Sequence, residues 1–328
     1  MIYHIQDNHI VELTSDYVEY IYSKYVPDGS LIVTDKQQLD TVVISDNISH
    51  IVFDAATNPV DPLKYLENVN VDRPFTLVSG LYHYHQRPDP RIKFLPFWAI
   101  WMSDPYTGIL DRQYHRFSNS PKKYKFSCLN GTTKEHRKLL YVLLNQKHYF
   151  KDIVFTFGHR PLTTVFPNEI LLTIEEQKIY QSLPQAVEFI DSDAIVGIDL
   201  TLNHPAYQES YVNLVTETTV VSPMLSEKTF KPIVAGQLFV LVAYQGAMQF
   251  LRDIGVDTFD DIIDHSYDLI EDTRTRINQA LVQIDRLVQL DLPGIYKEIK
   301  PRLIKNSEYF LSNQFRDQFW LNSRLHIF

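Results

Sequence analysis

Short apolar runs of β type recur along this chain with helix-patterned segments between them, and that alternation confines it to a small set of folds. SLIVTD (30–35), TVVI (41–44), HIVFD (50–54) and FTLVSG (75–80) are the runs of the first part. SDYVEYIYSKYV, from Ser15 to Val26, carries helical spacing, with Ser15 or Asp16 as its N-cap. Apolar strands that alternate with helices pack as βα units on a parallel sheet. An α/β architecture is the expectation.

A second series of the same kind follows a polar, basic, proline-containing stretch at about 118–125, which reads as a linker. YKFSCL is a strand, Asn130-Gly131 a turn, and TKEHRKLLYVLLNQ a helix with Leu139, Leu140, Leu143 and Leu144 on one side. DIVFTF, AVEFIDS, YVNLVTET and QLFVLVA supply further strands. AMQFLRDIG is a helix ended by Gly255, and TRTRINQALVQIDRLVQLD a long amphipathic one. A length of 328 residues suits two domains. The boundaries expected are 1–118 for an N-terminal domain and 122–300 for a C-terminal one, with 301–328 as a terminal helix packing back on the first. Two such domains leave a cleft between the carboxyl ends of their sheets, where open α/β folds bind ligands.

Composition narrows the function classes. Thirty-one Lys and Arg stand against 40 Asp and Glu, a formal charge of −9, and the one basic cluster is PKKYK at 121–125. Duplex binding asks for a basic stripe, so a nucleic-acid partner is disfavoured. No apolar run reaches the roughly 18 to 20 residues of a membrane span. MIYHIQDNHIVEL has neither the basic start nor the apolar core of a signal peptide. Cys128 is the single cysteine, which excludes an internal disulfide and agrees with a cytoplasmic location. No Walker loop, G-x-S-x-G, G-x-G-x-x-G or spaced Cys/His cluster occurs, so kinase, hydrolase and dehydrogenase readings lose support.

SPMLSEKTFKPIVAGQLFVLVAYQG (222–246) is the stretch least like ordinary core. Ser226 suits an N-cap, which puts Glu227 and Lys228 in the first helical turn. Phosphate binds readily at such a helix mouth, and a lysine there reaches a diphosphate as a mobile charge. The adjacent carboxylate would repel phosphate, and two vicinal ribose hydroxyls are its natural target. The alternative is a Glu227 that complements the helix dipole beside a solvated Lys228. Pro232 restricts the helix to two or three turns, and Gly236 ends it.

The stretch LVTETTVVSPMLSEKTFKPIVAGQLFVLVAYQGAMQFLRDIGVDTFDDIIDHSYD resembles the donor domain of glycosyltransferases of the GT-B fold. It is most similar to α-1,3-fucosyltransferase-type and exostosin-like proteins, and more closely to fucosyltransferase-like proteins of phages and marine bacteria. The resemblance covers roughly residues 122–290. It implies two Rossmann-like domains facing a central cleft, a nucleotide-sugar donor, and transfer to a glycan or other hydroxyl acceptor with no metal and no cofactor. Glu227 and Lys228 would contact ribose and diphosphate, and Arg137, with Asn130 at the strand end, would approach the diphosphate. Glu217 matches an acidic donor-side position, although a strand-end carboxylate in water is an equal reading. Ser226 and Lys231-Pro232 depart from the fucosyltransferase pattern, so the sugar is not carried over.

An inverting transfer needs one general base. Asp54 ends the strand HIVFD, His83 and His85 share one face of LYHYH, and Asp104 is a third choice; the residues do not choose among them. Asp191 and Asp193 form a D-x-D, disfavoured as a metal motif by its place before the donor signature. Asp264 and Asp268 read as a solvated helix face. Two other functions stay open: transfer to a hydroxylated DNA base, and a non-catalytic nucleotide- or sugar-binding scaffold.

Overall fold

The computed structural model describes residues 120–151, 153–158, 170–187, 202 and 204–324, together with the shorter stretches 3–6, 9–12, 29–33, 46, 48–55, 75–79, 92–94, 96–104 and 117. TVVI, His83, His85, Asp191 and Asp193 lie outside the described residues. The chain is α/β and divides into two Rossmann-like units. One comprises Met1–Trp101, Ser222–Met224 and Asn313–Phe328; the other comprises Met102–Val221 and Leu225–Ser312.

The first unit is built on strands β1 (Tyr3–Gln6), β2 (His9–Glu12), β3 (Ser30–Val33), β4 (His50–Ala55), β5 (Phe75–Ser79) and β6 (Ile92–Phe94). Their order is β2-β1-β3-β4-β5-β6, antiparallel between β1 and β2 and parallel elsewhere. Helix α1 (Phe97–Ser103) follows β6. The chain steps from β1 outward to the antiparallel β2, crosses back to lay β3 on the other side of β1, and then runs steadily to β6, so no reversal occurs within the parallel set from β3 to β6.

The second unit carries β7 (Tyr124–Asn130), β8 (Ile153–Phe157), β9 (Ser210–Thr216) and β10 (Leu238–Val242), all parallel, in the order β10-β9-β7-β8. Helix α2 (Glu135–Gln146) links β7 to β8, with Leu139, Leu140 and Leu144 buried. Helices α3 (Ile174–Ser182) and α4 (Pro205–Glu209) precede β9, and α5 (Glu227–Ala235) links β9 to β10. Every residue of β8, β9 and β10 is buried, as expected of strands covered on both faces. The chain steps from β7 outward to β8, then crosses back to the other side of β7 to lay down β9 and β10. That reversal makes a switch point between β7 and β9, the place where an open α/β sheet receives ligands at its carboxyl edge.

Helices α6 (Ala247–Asp253), α7 (Thr273–Leu287) and α8 (Leu292–Phe310) complete the unit. Helix α8 packs on α5: Ser307 Oγ donates to Val234 O at 3.1 Å, and the rings of Phe230 and Phe310 stack 5.3 Å apart. The terminal segment read as one helix is broken at Leu311 and Ser312, and α9 (Asn313–Arg324) starts beyond the break. A short 3-10 helix, His265–Leu269, guards the edge of the sheet, since the Tyr267 hydroxyl accepts from Leu241 N in β10 at 3.0 Å. Among the described residues no helix is long and apolar enough to cross a membrane.

Asp264 is solvated, as its sequence suggested, but Asp268 is not: it is 2% exposed. Its Oδ2 accepts from Met248 N at 2.9 Å, fixing the start of α6. Burial pushes this carboxyl up to about 6, against the hydrogen bond from Met248 and the charges of Arg276 and Arg252. A group raised above its unfolded value stabilises most below that unfolded value and loses the contribution as pH rises through the folded one. Wild type should therefore lose about 2–3 kcal/mol relative to Asp268→Asn between about pH 4 and pH 7. Paired urea titrations across that range check this, and a pH-independent difference would contradict it.

Candidate functional site

The carboxyl edge of the second sheet is organised by Glu217, which directly follows β9. Its side chain is completely buried. Oε1 accepts from Ser226 N at 2.9 Å and from Thr229 Oγ1 at 2.5 Å, while Oε2 accepts from Ser226 Oγ at 2.6 Å and Thr218 N at 2.9 Å. Four donors from one stretch of chain thus satisfy a carboxylate that would otherwise be very costly to bury. They clamp the end of β9 to the start of α5. The clamp explains why α5 begins where it does: Ser226 is its N-cap, with extended backbone and Oγ 3.5 Å from Lys228 N.

Helix α5 is short, as Pro232 within it requires, and it ends at Gly236 with φ 65°. Gly236 N donates to Ile233 O and Gln237 N to Pro232 O, closing the helix in a left-handed cap. A Cβ at Gly236 would meet the Phe117 ring at 2.2 Å, so both the turn and the packing demand glycine.

Glu227 and Lys228 emerge at the mouth of α5, partly exposed at 15% and 29%. Lys228 Nζ donates to Glu227 Oε1 at 2.5 Å and reaches Thr218 Oγ1 at 3.3 Å and Ser226 Oγ at 3.4 Å. Burial pushes the Glu227 carboxyl up, but the charge and hydrogen bond of Lys228, with the charge of Lys231, more than reverse this and hold it below the ordinary carboxylate range. Solvent reaches the pair chiefly on the Lys228 side, so Lys228 is the member of it that an incoming ligand would meet first. Glu217 is enclosed; the Glu227–Lys228 pair keeps a share of its surface at the helix mouth.

Asn130 is the last residue of β7 rather than part of a turn, and it is buried. Its Oδ1 accepts a short hydrogen bond from Thr216 Oγ1 at the end of β9, which ties the two strands across the switch point. Arg137 is not a solvated helix residue: it is 2% exposed. Its Nη2 donates to Thr216 O at 3.2 Å and Glu217 O at 3.0 Å, and its Nη1 to Thr132 Oγ1 at 2.6 Å. His136 Nε2 lies 3.0 Å from the same Glu217 carbonyl, so that nitrogen carries the proton.

Asn130, Arg137, Glu217, Glu227 and Lys228 therefore meet at one edge of one sheet. Asp54 is the fifth residue of β4, in the other unit. Asp104 follows α1 and is buried. Among the described residues no His, Cys, Asp and Glu cluster with metal-binding geometry occurs. Sequence reasoning missed Thr218, Thr229, Lys134 and His136. The hydroxyl-rich run TETTVVSPMLSEKT was the available signal, because a buried carboxylate needs donors and Ser and Thr supply them.

Glu217→Gln turns one acceptor into a donor that faces donors. It should destabilise the protein by about 3 kcal/mol, whereas Ser226→Ala should cost only about 1 kcal/mol. Urea denaturation of both variants checks the order; the reverse order would mean that the cap, not the carboxylate, holds the helix mouth.

No protein-family model matches the chain, and no curated protein matches it in sequence. Solved structures of an alpha1,3-fucosyltransferase are similar to it in fold. The complex with GDP-fucose has 9% identity and a TM-score of 0.37, over 88% of this chain and 81% of that chain. The complex with GDP has 10% identity and a TM-score of 0.41, over 86% and 80%. A third structure of the alpha1,3-fucosyltransferase has 11% identity and a TM-score of 0.39, over 87% and 80%. Superposition this loose carries no residue role from those enzymes to this chain.

Proposed function

We propose that the protein is a glycosyltransferase that moves a sugar from a nucleotide-sugar donor to a hydroxyl acceptor, with inversion and without a metal. The observation that carries this reading is the helix mouth at the switch point: a partly exposed Glu–Lys pair on a helix start held in place by the buried Glu217 carboxylate. Lys228 takes the donor diphosphate and Glu227 the ribose hydroxyls, which requires the two side chains to part. Arg137 and Asn130 brace residues 216–217, the strand end from which the helix mouth is hung.

In the transfer, the bond from the anomeric carbon to the diphosphate oxygen breaks and its electron pair leaves with the diphosphate. The acceptor oxygen bonds to the same carbon from the opposite face, and its proton passes to a general base, for which Asp54 and His83 are the candidates. Lys228 and Arg137 stabilise the charge that grows on the leaving diphosphate. The linkage of the two site carboxylates divides the labour: Glu217 builds the site and Glu227 meets the ligand.

Thermal unfolding with UDP, GDP, CMP, dTDP and ADP tests this. One nucleotide at 100 times its dissociation constant should stabilise wild type by about 2.7 kcal/mol and leave Lys228→Ala unmoved. If none of the five shifts the midpoint, the pair is a helix cap and the reading fails. Binding without turnover of any sugar donor would leave a nucleotide-binding scaffold.

A further inference from the structure

We propose that Arg276 is a positioning residue of the α5 mouth, holding the β9–α5 loop at Val220 against the end of β10 and the segment that enters α7. This inference rests on the reading of that mouth as a nucleotide-sugar site. In sequence Arg276 is the second arginine of TRTRIN, one polar residue in an amphipathic helix. The structure places it in the first turn of α7 and buries it to 2% exposure.

Every nitrogen of its guanidinium donates. Nε gives to Ala243 O at 3.1 Å, Nη1 to Ile270 O at 2.5 Å and Glu271 O at 3.0 Å, and Nη2 to Val220 O at 2.9 Å and Thr273 Oγ1 at 3.2 Å. Ala243 directly follows β10, Val220 lies in the loop after β9, and residues 270–273 lead into α7. A guanidinium joins three segments in this way because its donors are spread over a planar fork, whereas an ammonium carries all of its donors on one atom.

The position works against the charge in two respects. A cation in the first turn of a helix opposes the macrodipole, and burial disfavours the ionised form. The carboxylates of Asp268 and Asp272 act in its favour, yet among the described residues neither accepts a hydrogen bond from it. Its donors all go to carbonyls or to the Thr273 hydroxyl, so what the side chain fixes is the path of the backbone.

The contact at Val220 is the one that bears on the site. Glu217 fixes both ends of the β9–α5 loop, at Thr218 and at Ser226. Val220 lies between those ends, two residues from Thr218, whose hydroxyl is 3.3 Å from Lys228 Nζ. A loop held only at its ends keeps the φ and ψ freedom of the residues between, and a further tie removes part of it. Glu217 sets where the loop starts and stops; Arg276 sets its course, and with it the place of Thr218 beside Lys228.

Hydrogen exchange on Arg276→Lys and Arg276→Met tests this, with Leu281→Ala, a cavity in the same helix, as the control. The amides of Thr218, Val221 and Ser226 should exchange about 10-fold faster in Arg276→Met and by a smaller factor in Arg276→Lys. Leu281→Ala lowers the unfolding midpoint and should leave those three amides at the wild-type rate. Loop amides unchanged in a folded Arg276→Lys, or equally fast in Leu281→Ala, overturn the inference. Calorimetric titration with UDP, GDP, CMP, dTDP and ADP, well below the unfolding midpoint, gives the second readout. The nucleotide that wild type binds should bind about 10-fold more weakly to Arg276→Lys and with unchanged affinity to Leu281→Ala. The two readings fail separately. Faster loop exchange with no nucleotide bound by wild type leaves Arg276 holding the loop and removes the glycosyltransferase; nucleotide binding that ignores Arg276→Lys does the reverse.

Discussion

Glu217 has no exposure to solvent, and the chain around it is arranged to supply its donors. An ionised carboxylate in that position is tolerable only when each oxygen is hydrogen-bonded, and here all four donors come from residues 218–229. The consequence is geometric. The loop after β9 has to fold back on its own strand, Ser226 has to cap α5, and α5 has to start over the carboxyl edge of the sheet. Everything that makes this edge a candidate site follows: the Glu227–Lys228 pair at the mouth, the Thr218 hydroxyl beneath Lys228, and the left-handed turn at Gly236 that returns the chain to β10.

Two acidic residues ten positions apart thereby acquire opposite characters. Glu217 accepts only from neutral groups fixed by the fold, so its removal acts on architecture. Glu227 sits beside Lys228 and near Lys231 in a partly exposed position, so its charge is sustained by cations. Backbone carbonyls do much of the electrostatic work on the other side: Thr216 O, Glu217 O and Thr218 O collect Arg137, His136 and Lys134.

Much of the second unit was legible in the chain. YKFSCL, DIVFTF, YVNLVTET and QLFVLVA appear as β7 to β10 because unbroken apolar runs of this length suit strands buried on both faces. Ser226 and Gly236 bound α5 as capping chemistry requires. The first unit was less legible. YHIQ and HIVE pair as an antiparallel hairpin although neither carries a strong β pattern, and IKF is too short to register as a strand. Asp268 was misread because an acidic run looks solvated; its burial follows from capping α6, a contact twenty residues away in sequence.

By itself the sequence determined the four strands of the second unit, and that Glu227 and Lys228 open a short helix, because these depend on local periodicity and on the backbone needs of one turn. It also brought Asn130, Arg137 and Glu217 forward as candidates. Only the tertiary structure decided what they do. The order β10-β9-β7-β8 puts residues 130–137 beside residues 216–218, and no local pattern encodes which strand lies next to which. That adjacency turned Arg137 and His136 onto the carbonyls of residues 216–217 and brought the Lys134 ammonium onto the carbonyl of Thr218. Hydrogen bonds and charges act through space over a few ångströms, so partners more than eighty residues apart become visible only when the sheet is assembled.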